Sequence, residues 1–234
     1  MRFDIITIFP KAFSYLEESI IRRAVNAGVI EIHLHDLRSF AKDKHKKVDD
    51  RPYGGGPGMV MKVEPIWLAV SSILKKTARH KNWKRRIILL SAKGGTFSQK
   101  KAVQLSKFDH IIFICGHYEG VDERVADHIA DEEISIGNYV LTGGELPAMV
   151  ILDAVARNIK GTIKKESLLN ESFGNGKDTK LEHPQYTRPE VFSPVIKGKK
   201  AGKSAKKWSV PAVLLSGNTA KIEDWKKIHR KTML

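Results

Sequence analysis

Cysteine is nearly absent. Cys115 is the only one in 234 residues, so no internal disulfide can form, which fits a reducing, cytoplasmic setting. Cys115 ends an apolar run and reads as a small buried hydrophobe rather than a nucleophile. No apolar run approaches the ~20 residues that a membrane helix needs. The first residues, Met1-Arg2-Phe3-Asp4-Ile5-Ile6, carry an early acid and do not read as a signal peptide. Three chemistries lack their signatures. There is no GxGxxG for a nicotinamide cofactor. The glycine loop at residues 54–58 is not followed by Gly-Lys-Ser/Thr, so it lacks the lysine and hydroxyl of a triphosphatase phosphate cradle. The nine histidines form no HExxH, HxxxH or Cys/His spacing, which speaks against a zinc site and leaves no metal ligands to name.

Negative charge is scarce outside the middle of the chain. The formal net charge is +15. Residues 1–110 hold 22 Lys and Arg against 10 Asp and Glu, and residues 158–234 hold 17 against 7. Residues 111–157 reverse the balance, with 2 against 9. Basic flanks suit a nucleic-acid backbone through phosphate neutralisation. The acidic centre suits a cationic small molecule. A non-enzymatic RNA-binding protein would account for the basic flanks but not for that centre.

The centre is also where glycine concentrates. Residues 111–115 form a buried strand that runs into Gly116-His117-Tyr118-Glu119-Gly120. A segment with helical spacing follows over 121–129. Then Ile136-Gly137-Asn138-Tyr139-Val140-Leu141-Thr142-Gly143-Gly144 turns twice on glycine and enters a helix over 146–159. That helix puts Met149, Leu152, Val155 and Ile159 on one face, with Asp153 and Arg157 at i,i+4 on another. Upstream, a strand over 2–9, a helix from Pro10 to a C′ glycine at Gly28, and a strand over 29–34 predict parallel strands. The helix should turn Phe13, Leu16, Ile20 and Ala24 inward. Residues 64–79 predict a helix with Trp67, Val70 and Leu74 inward. A strand over 87–90 leads into a third glycine loop, 91–98, where Ser98 caps a helix to Leu105. Trp83, among basic residues, reads as cover for a core edge. Residues 52–58 hold four glycines and two prolines, which neither a helix nor a central strand accepts.

The order Cys115-Gly116-His117-Tyr118-Glu119-Gly120-Val121-Asp122-Glu123-Arg124, followed by Ile136 to Pro147, resembles the bacterial tRNA (guanine-N1)-methyltransferases, which act on guanine 37. Asp49-Asp50-Arg51-Pro52-Tyr53-Gly54-Gly55-Gly56-Pro57-Gly58-Met59 and Tyr186-Thr187-Arg188-Pro189 extend the resemblance over nearly the whole chain. It implies an α/β fold: a parallel sheet with a deep C-terminal trefoil knot, plus a small, mostly helical C-terminal domain. It implies a knotted domain over 1–160, a linker over 161–180 and a tRNA-binding domain over 181–234. That last domain should hold a lysine-rich loop (Lys197, Lys199, Lys200, Lys203, Lys206, Lys207) and a helix from Ile222 with Trp225 and Ile228 on one face.

The implied cofactor is S-adenosylmethionine, with help from Mg²⁺ reported for the family. Its implied site is Leu90, Ser91, Gly94, Gly116, Tyr118, Gly120, Ile136, Gly137, Asn138, Tyr139, Val140, Leu141, Gly143, Gly144 and Pro147. Tyr53, Gly54, Gly55, Gly56, Gly58, Met59 and Arg188 are implied to hold tRNA. Glu171 is implied as general base and Arg157 as the group that polarises guanine, with Glu119 and Glu182 in support. The implied partners are tRNA and a second copy of the chain, with neither DNA nor a membrane. This chain departs from the family pattern in three places. Ala92 stands where the family usually has proline, Glu171 where it usually has aspartate, and the linker beyond Phe173 is a few residues longer. A ribose 2′-O-methyltransferase of the same knotted class is the nearest rival reading.

Overall fold

The computed structural model describes residues 1–164, 172–173, 182–194 and 207–230. The chain forms two compact units, Met1–Leu168 and Leu169–Leu234. Five parallel strands organise the first: β1 (Arg2–Thr7), β2 (Glu31–Asp36), β5 (Arg85–Thr96), β6 (His110–Cys115) and β7 (Glu132–Ser135). Their order is β2-β1-β6-β5-β7. All six residues of β6 are buried, because this strand lies between β1 and β5 and both sheet faces are covered. Alternation along it divides the core. Ile111, Phe113 and Cys115 face one cluster with Phe3, Ile5, Ile88 and Leu90. Ile112 and Ile114 face the other with Ile6 and Leu89.

The first face is covered by a 3-10 helix (Pro10–Glu17), α1 (Ser19–Asn26), α3 (Gln99–Leu105) and α5 (Glu145–Arg157). The expected single helix from Pro10 to Gly28 is interrupted. Glu18 is extended and Ser19 sits at φ +49°, so the helix restarts in a new phase. Ile21 is consequently buried in place of Ile20. Gly28 takes φ +67° just after the end of α1, as a C′ glycine should. Ser98 caps α3 by accepting from Lys101 N.

The second face carries α2 (Val63–Lys76) and the short α4 (Arg124–His128). The α2 stripe is Ile66, Ala69, Val70 and Ile73, not the expected row through Trp67, which is exposed. Trp67 stands about 100° round the helix from Ile66, and the aliphatic row at i, i+3, i+4 and i+7 takes the buried side. Residues 121–123 belong to the loop rather than to α4, whose start is shaped by Asp122 Oδ1 accepting from Arg124 N. Trp83 covers a core edge as expected, stacked on His80 at 3.8 Å with its edge to His110. The segment between β2 and α2 opens with a 3-10 turn (Leu37–Phe40) and contains a hairpin of β3 (Asp49–Asp50) and β4 (Val60–Met61).

In the second unit, β8 (Val191–Phe192) pairs antiparallel with β9 (Trp208–Ser209), followed by α6 (Ala212–Leu215) and α7 (Thr219–Ile228). Asn218 caps α7 by accepting from Lys221 N. Trp225 packs near Tyr186, His183 and His229. Ile228, expected to share that face, is exposed. Of the lysine-rich loop only Lys207 lies within the described residues, and it is exposed.

One buried carboxylate ties β1, β2 and β6 together. Asp4 accepts from Arg2 Nε at 2.6 Å and Nη2 at 2.9 Å, His35 Nε2 at 2.5 Å and His110 Nε2 at 2.7 Å. Burial would push its pKa up, but the hydrogen bonds from His110, His35 and Arg2 outweigh burial and hold it far below the usual carboxylate range. A lowered folded pKa means stability that is present above the unfolded carboxyl value of about 4 and lost as pH falls below it. Asp4→Asn should cost about 3–5 kcal/mol by urea unfolding at neutral pH. It should also flatten the acid limb of the stability–pH curve.

Candidate active site

Around a bulge in β5 and beyond the carboxyl ends of β6 and β7, three segments surround a cavity of about 390 Å³. That is the size and the position expected of a small-molecule site in an open α/β sheet. The first wall is a bulge in β5. The ladder shifts register there, so that both Leu90 and Gly95 face Ile134 and residues 91–94 are left without a ladder partner. Leu90, Ser91, Ala92 and Lys93 line the cavity. Gly94 does not. A Cβ on Gly94 would stand 2.5 Å from the Glu133 carbonyl carbon and the Ile134 nitrogen, so glycine is what lets the bulge close back onto β7.

The second wall follows β6. Gly116, Tyr118, Glu119 and Gly120 line it, and Tyr118 holds φ +61°. This loop is tied to the hairpin of the glycine-rich segment. Glu119 N donates to Met59 O at 3.0 Å, Met61 N to Gly120 O at 2.9 Å and Asp122 N to Met61 O at 3.0 Å. A Cβ on Gly58 would stand 2.5 Å from Glu119 Cγ and Oε1. Gly58 and Met59 therefore lie against Glu119, while Gly54, Gly55 and Gly56 sit in an exposed turn at positive φ with Tyr53 fully exposed.

The third wall comes from the segment between β7 and α5. Ile136, Tyr139, Val140, Leu141, Gly143, Gly144 and Pro147 line the cavity. Gly137 and Asn138, expected in the site, are not among the lining residues. Gly137 packs where a Cβ would meet the Tyr139 ring at 2.4 Å, so it shapes the turn. Gly144 N donates to Gly116 O at 2.8 Å.

Behind these walls lies a polar cluster that sequence reasoning missed. Glu145, buried in the first turn of α5, accepts from Thr7 Oγ1 at 2.7 Å and bonds His117 Nε2 at 3.0 Å. Thr7 Oγ1 in turn accepts from Phe9 N. The cluster joins the end of β1 to the second and third loops. The only sequence signal was an acid directly after a glycine pair at a helix start, where a carboxylate suits the helix dipole. Burial, followed by the nearby Glu145, pushes the Cys115 thiol well up, so Cys115 stays a packed hydrophobe.

The proposed catalytic groups are more dispersed. Glu119 is at the wall. Arg157 is at the far end of α5, about 18 Å along the helix from Glu145, and does not line this cavity. Glu182 and Arg188 are exposed residues of the second unit, where Glu182 N donates to Ser172 Oγ at 3.0 Å. Glu171 lies outside the described residues. Among the described residues no group of three or more His, Cys, Asp or Glu is arranged to hold a metal ion, and no helix is long and apolar enough to cross a membrane.

Comparison with known proteins places the chain in a family. Residues 1–233 match the family model described as tRNA (Guanine-1)-methyltransferase TrmD. A protein of Clostridioides difficile is 48% identical over 229 residues, covering 97% of this chain and 91% of its own length. One from Chloroflexus aggregans is 47% identical over 231 residues, covering 98% and 83%. One from Endomicrobium trichonymphae is 46% identical over 232 residues, covering 97% and 92%. All three carry the name tRNA (guanine-N(1)-)-methyltransferase. With its full length matched and its three glycine loops closing on one cavity, the chain belongs to the tRNA (guanine-1)-methyltransferase family.

Proposed function

We propose that this protein methylates N1 of guanine 37 in tRNA, next to the anticodon, with S-adenosylmethionine as donor. The observation that carries the reading is the convergence of three glycine loops on one cavity in a chain matched along its length to this family. The cavity suits the donor chemically. Leu90, Ile134, Ile136, Val140 and Leu141 offer an apolar wall for a purine, and Glu119 favours a cation. Bound there, S-adenosylmethionine supplies a methyl group made electrophilic by its sulfonium.

The chain must do the rest. N1 of guanine carries a proton at neutral pH, so a base has to remove it while a donor takes up the charge that moves toward O6. We assign the base to Glu171 and the charge-stabilising group to Arg157, with Glu119 and Glu182 positioning the guanine edge. Tyr53, the glycines to Gly58, Met59 and Arg188 hold the tRNA. This substrate places the enzyme in the cytoplasm.

Two further features belong to the same reading. One is a trefoil knot. After the edge strand β7 the chain comes back to the carboxyl end of β6, where Gly144 N donates to Gly116 O before α5 begins. The other is a homodimer with a shared site. Tyr139, Val140, Leu141, Leu146 and Val150 leave apolar surface exposed on the third loop and on α5. Glu171 of one copy would act in the cavity of the other.

The decisive assay is methyl transfer from labelled donor to tRNA transcripts with and without guanine at position 37, with the methylated atom mapped. Label on guanine N1, lost when position 37 is changed, is expected; label on a ribose 2′-oxygen would overturn the reading. Gly143→Ala should weaken donor binding in calorimetry, since the added Cβ would meet His117 Nε2. Mixing a Gly143→Ala chain with a Glu171→Gln chain should raise activity above either variant alone, whereas a monomer in sedimentation at assay concentration would refute the shared site. Glu171→Gln keeps shape but cannot accept a proton, so single-turnover methyl transfer should fall about 10²–10⁴-fold. Donor and tRNA affinities should change little. A variant within a few-fold of wild type would move the base elsewhere.

A further inference from the structure

The bulge that forms the first wall of the cavity is held at only a few points. Residues 91–94 leave the ladder between Leu90 and Gly95. At its base, Gly94 packs on the backbone of Glu133 and Ile134. Lys93 N donates to Ser91 Oγ, a contact internal to the bulge. At its tip, Lys93 Nζ donates to Glu123 Oε2 at 2.5 Å. Glu123 is the last residue of the second loop, directly before α4. Both side chains belong to residues that line the cavity, and both are largely exposed, at 63% and 62%. The pair therefore joins two walls that the backbone does not join at this point.

We propose that Lys93 and Glu123 are positioning residues of the donor site, their ion pair strapping the 91–94 bulge to the segment before α4 and so setting the width of the cavity. This rests on the reading of the cavity as the site for S-adenosylmethionine. The strap acts on ground-state binding, because the bulge must stand close enough for Ser91 and Ala92 to meet the ligand. Glu133 and Asp127 add to the negative field around Lys93; the hydrogen bond that Lys93 donates to Glu123, opposed in part by burial and reinforced by these acids, raises its pKa, so the lysine stays charged through the neutral range. A purely electrostatic effect on a charged ligand has a different signature. Removing a cation and removing an anion would then move affinity in opposite directions, whereas breaking a strap from either end moves it the same way.

The test is calorimetric titration of S-adenosylmethionine into wild type, Lys93→Met, Glu123→Gln, the double variant and Lys93→Arg. Each single neutralisation should weaken binding about two- to fivefold, the range of an exposed ion pair. The double variant should be no weaker than either single one, because one link is lost only once. Lys93→Arg should keep wild-type affinity. In turnover the loss should raise KM for the donor rather than lower kcat. Opposite shifts for the two single variants, additive losses in the double variant, or unchanged affinity in all of them would overturn the strap. Wild type failing to bind the donor would overturn the donor-site reading and the strap with it. Wild type binding tightly with every variant alike would overturn the strap alone.

Discussion

The site depends on one close approach between two backbones. Gly144 sits where a Cβ would stand 2.7 Å from Cys115 Cα and 2.9 Å from Gly116 N, and its own N–H reaches Gly116 O. No other residue could bring the third loop so near the end of β6. From that contact follow the closed third wall, the starting point of α5 and the burial of Glu145 beneath the cavity. α5 then fills the first face of the sheet with Ala148, Ile151, Leu152, Val155 and Ala156. Cavity and core are thus consequences of the same packing, which is why a methyl group added at one glycine would disturb both.

Buried charge is used at two places in the sheet, for different purposes. Asp4 gathers Arg2, His35 and His110 and ties β1, β2 and β6 to one another. Glu145 gathers Thr7 and His117 at the carboxyl end of β1 and holds two loops. A buried carboxylate costs several kcal/mol unless its oxygens are satisfied. Each cluster therefore stabilises only one arrangement of its elements, and the second one fixes the geometry of the cavity walls.

The cavity itself is held by weaker means. Its first wall is a bulge closed by an exposed ion pair, and its second is hydrogen-bonded to the glycine-rich hairpin through Glu119 and Gly120.

Much of the scaffold was legible in the chain itself. The unbroken apolar run of β6, the C′ glycine at Gly28, the cap at Ser98 and the apolar row of α5 are local properties, and propensity and periodicity report local properties well. The loops that line the cavity were legible too, since glycine spacing marks where backbone must turn or approach. Other features depended on distant partners. The break at Glu18–Ser19, the outward turn of Trp67 and the exposure of Ile228 reflect which side of a helix finds a neighbour. Gly94 and Gly137 looked like ligand contacts, but only their packing against Glu133 and Tyr139 shows that they shape turns. His117, Glu145 and Thr7 stand up to 138 residues apart, and no spacing in the sequence links them. The sequence alone marked most of the parallel strands, the main helices that cover them and the glycines of this site; tertiary structure decided which of those glycines face the cavity and which buried charges meet, because both depend on contacts between segments remote in the chain.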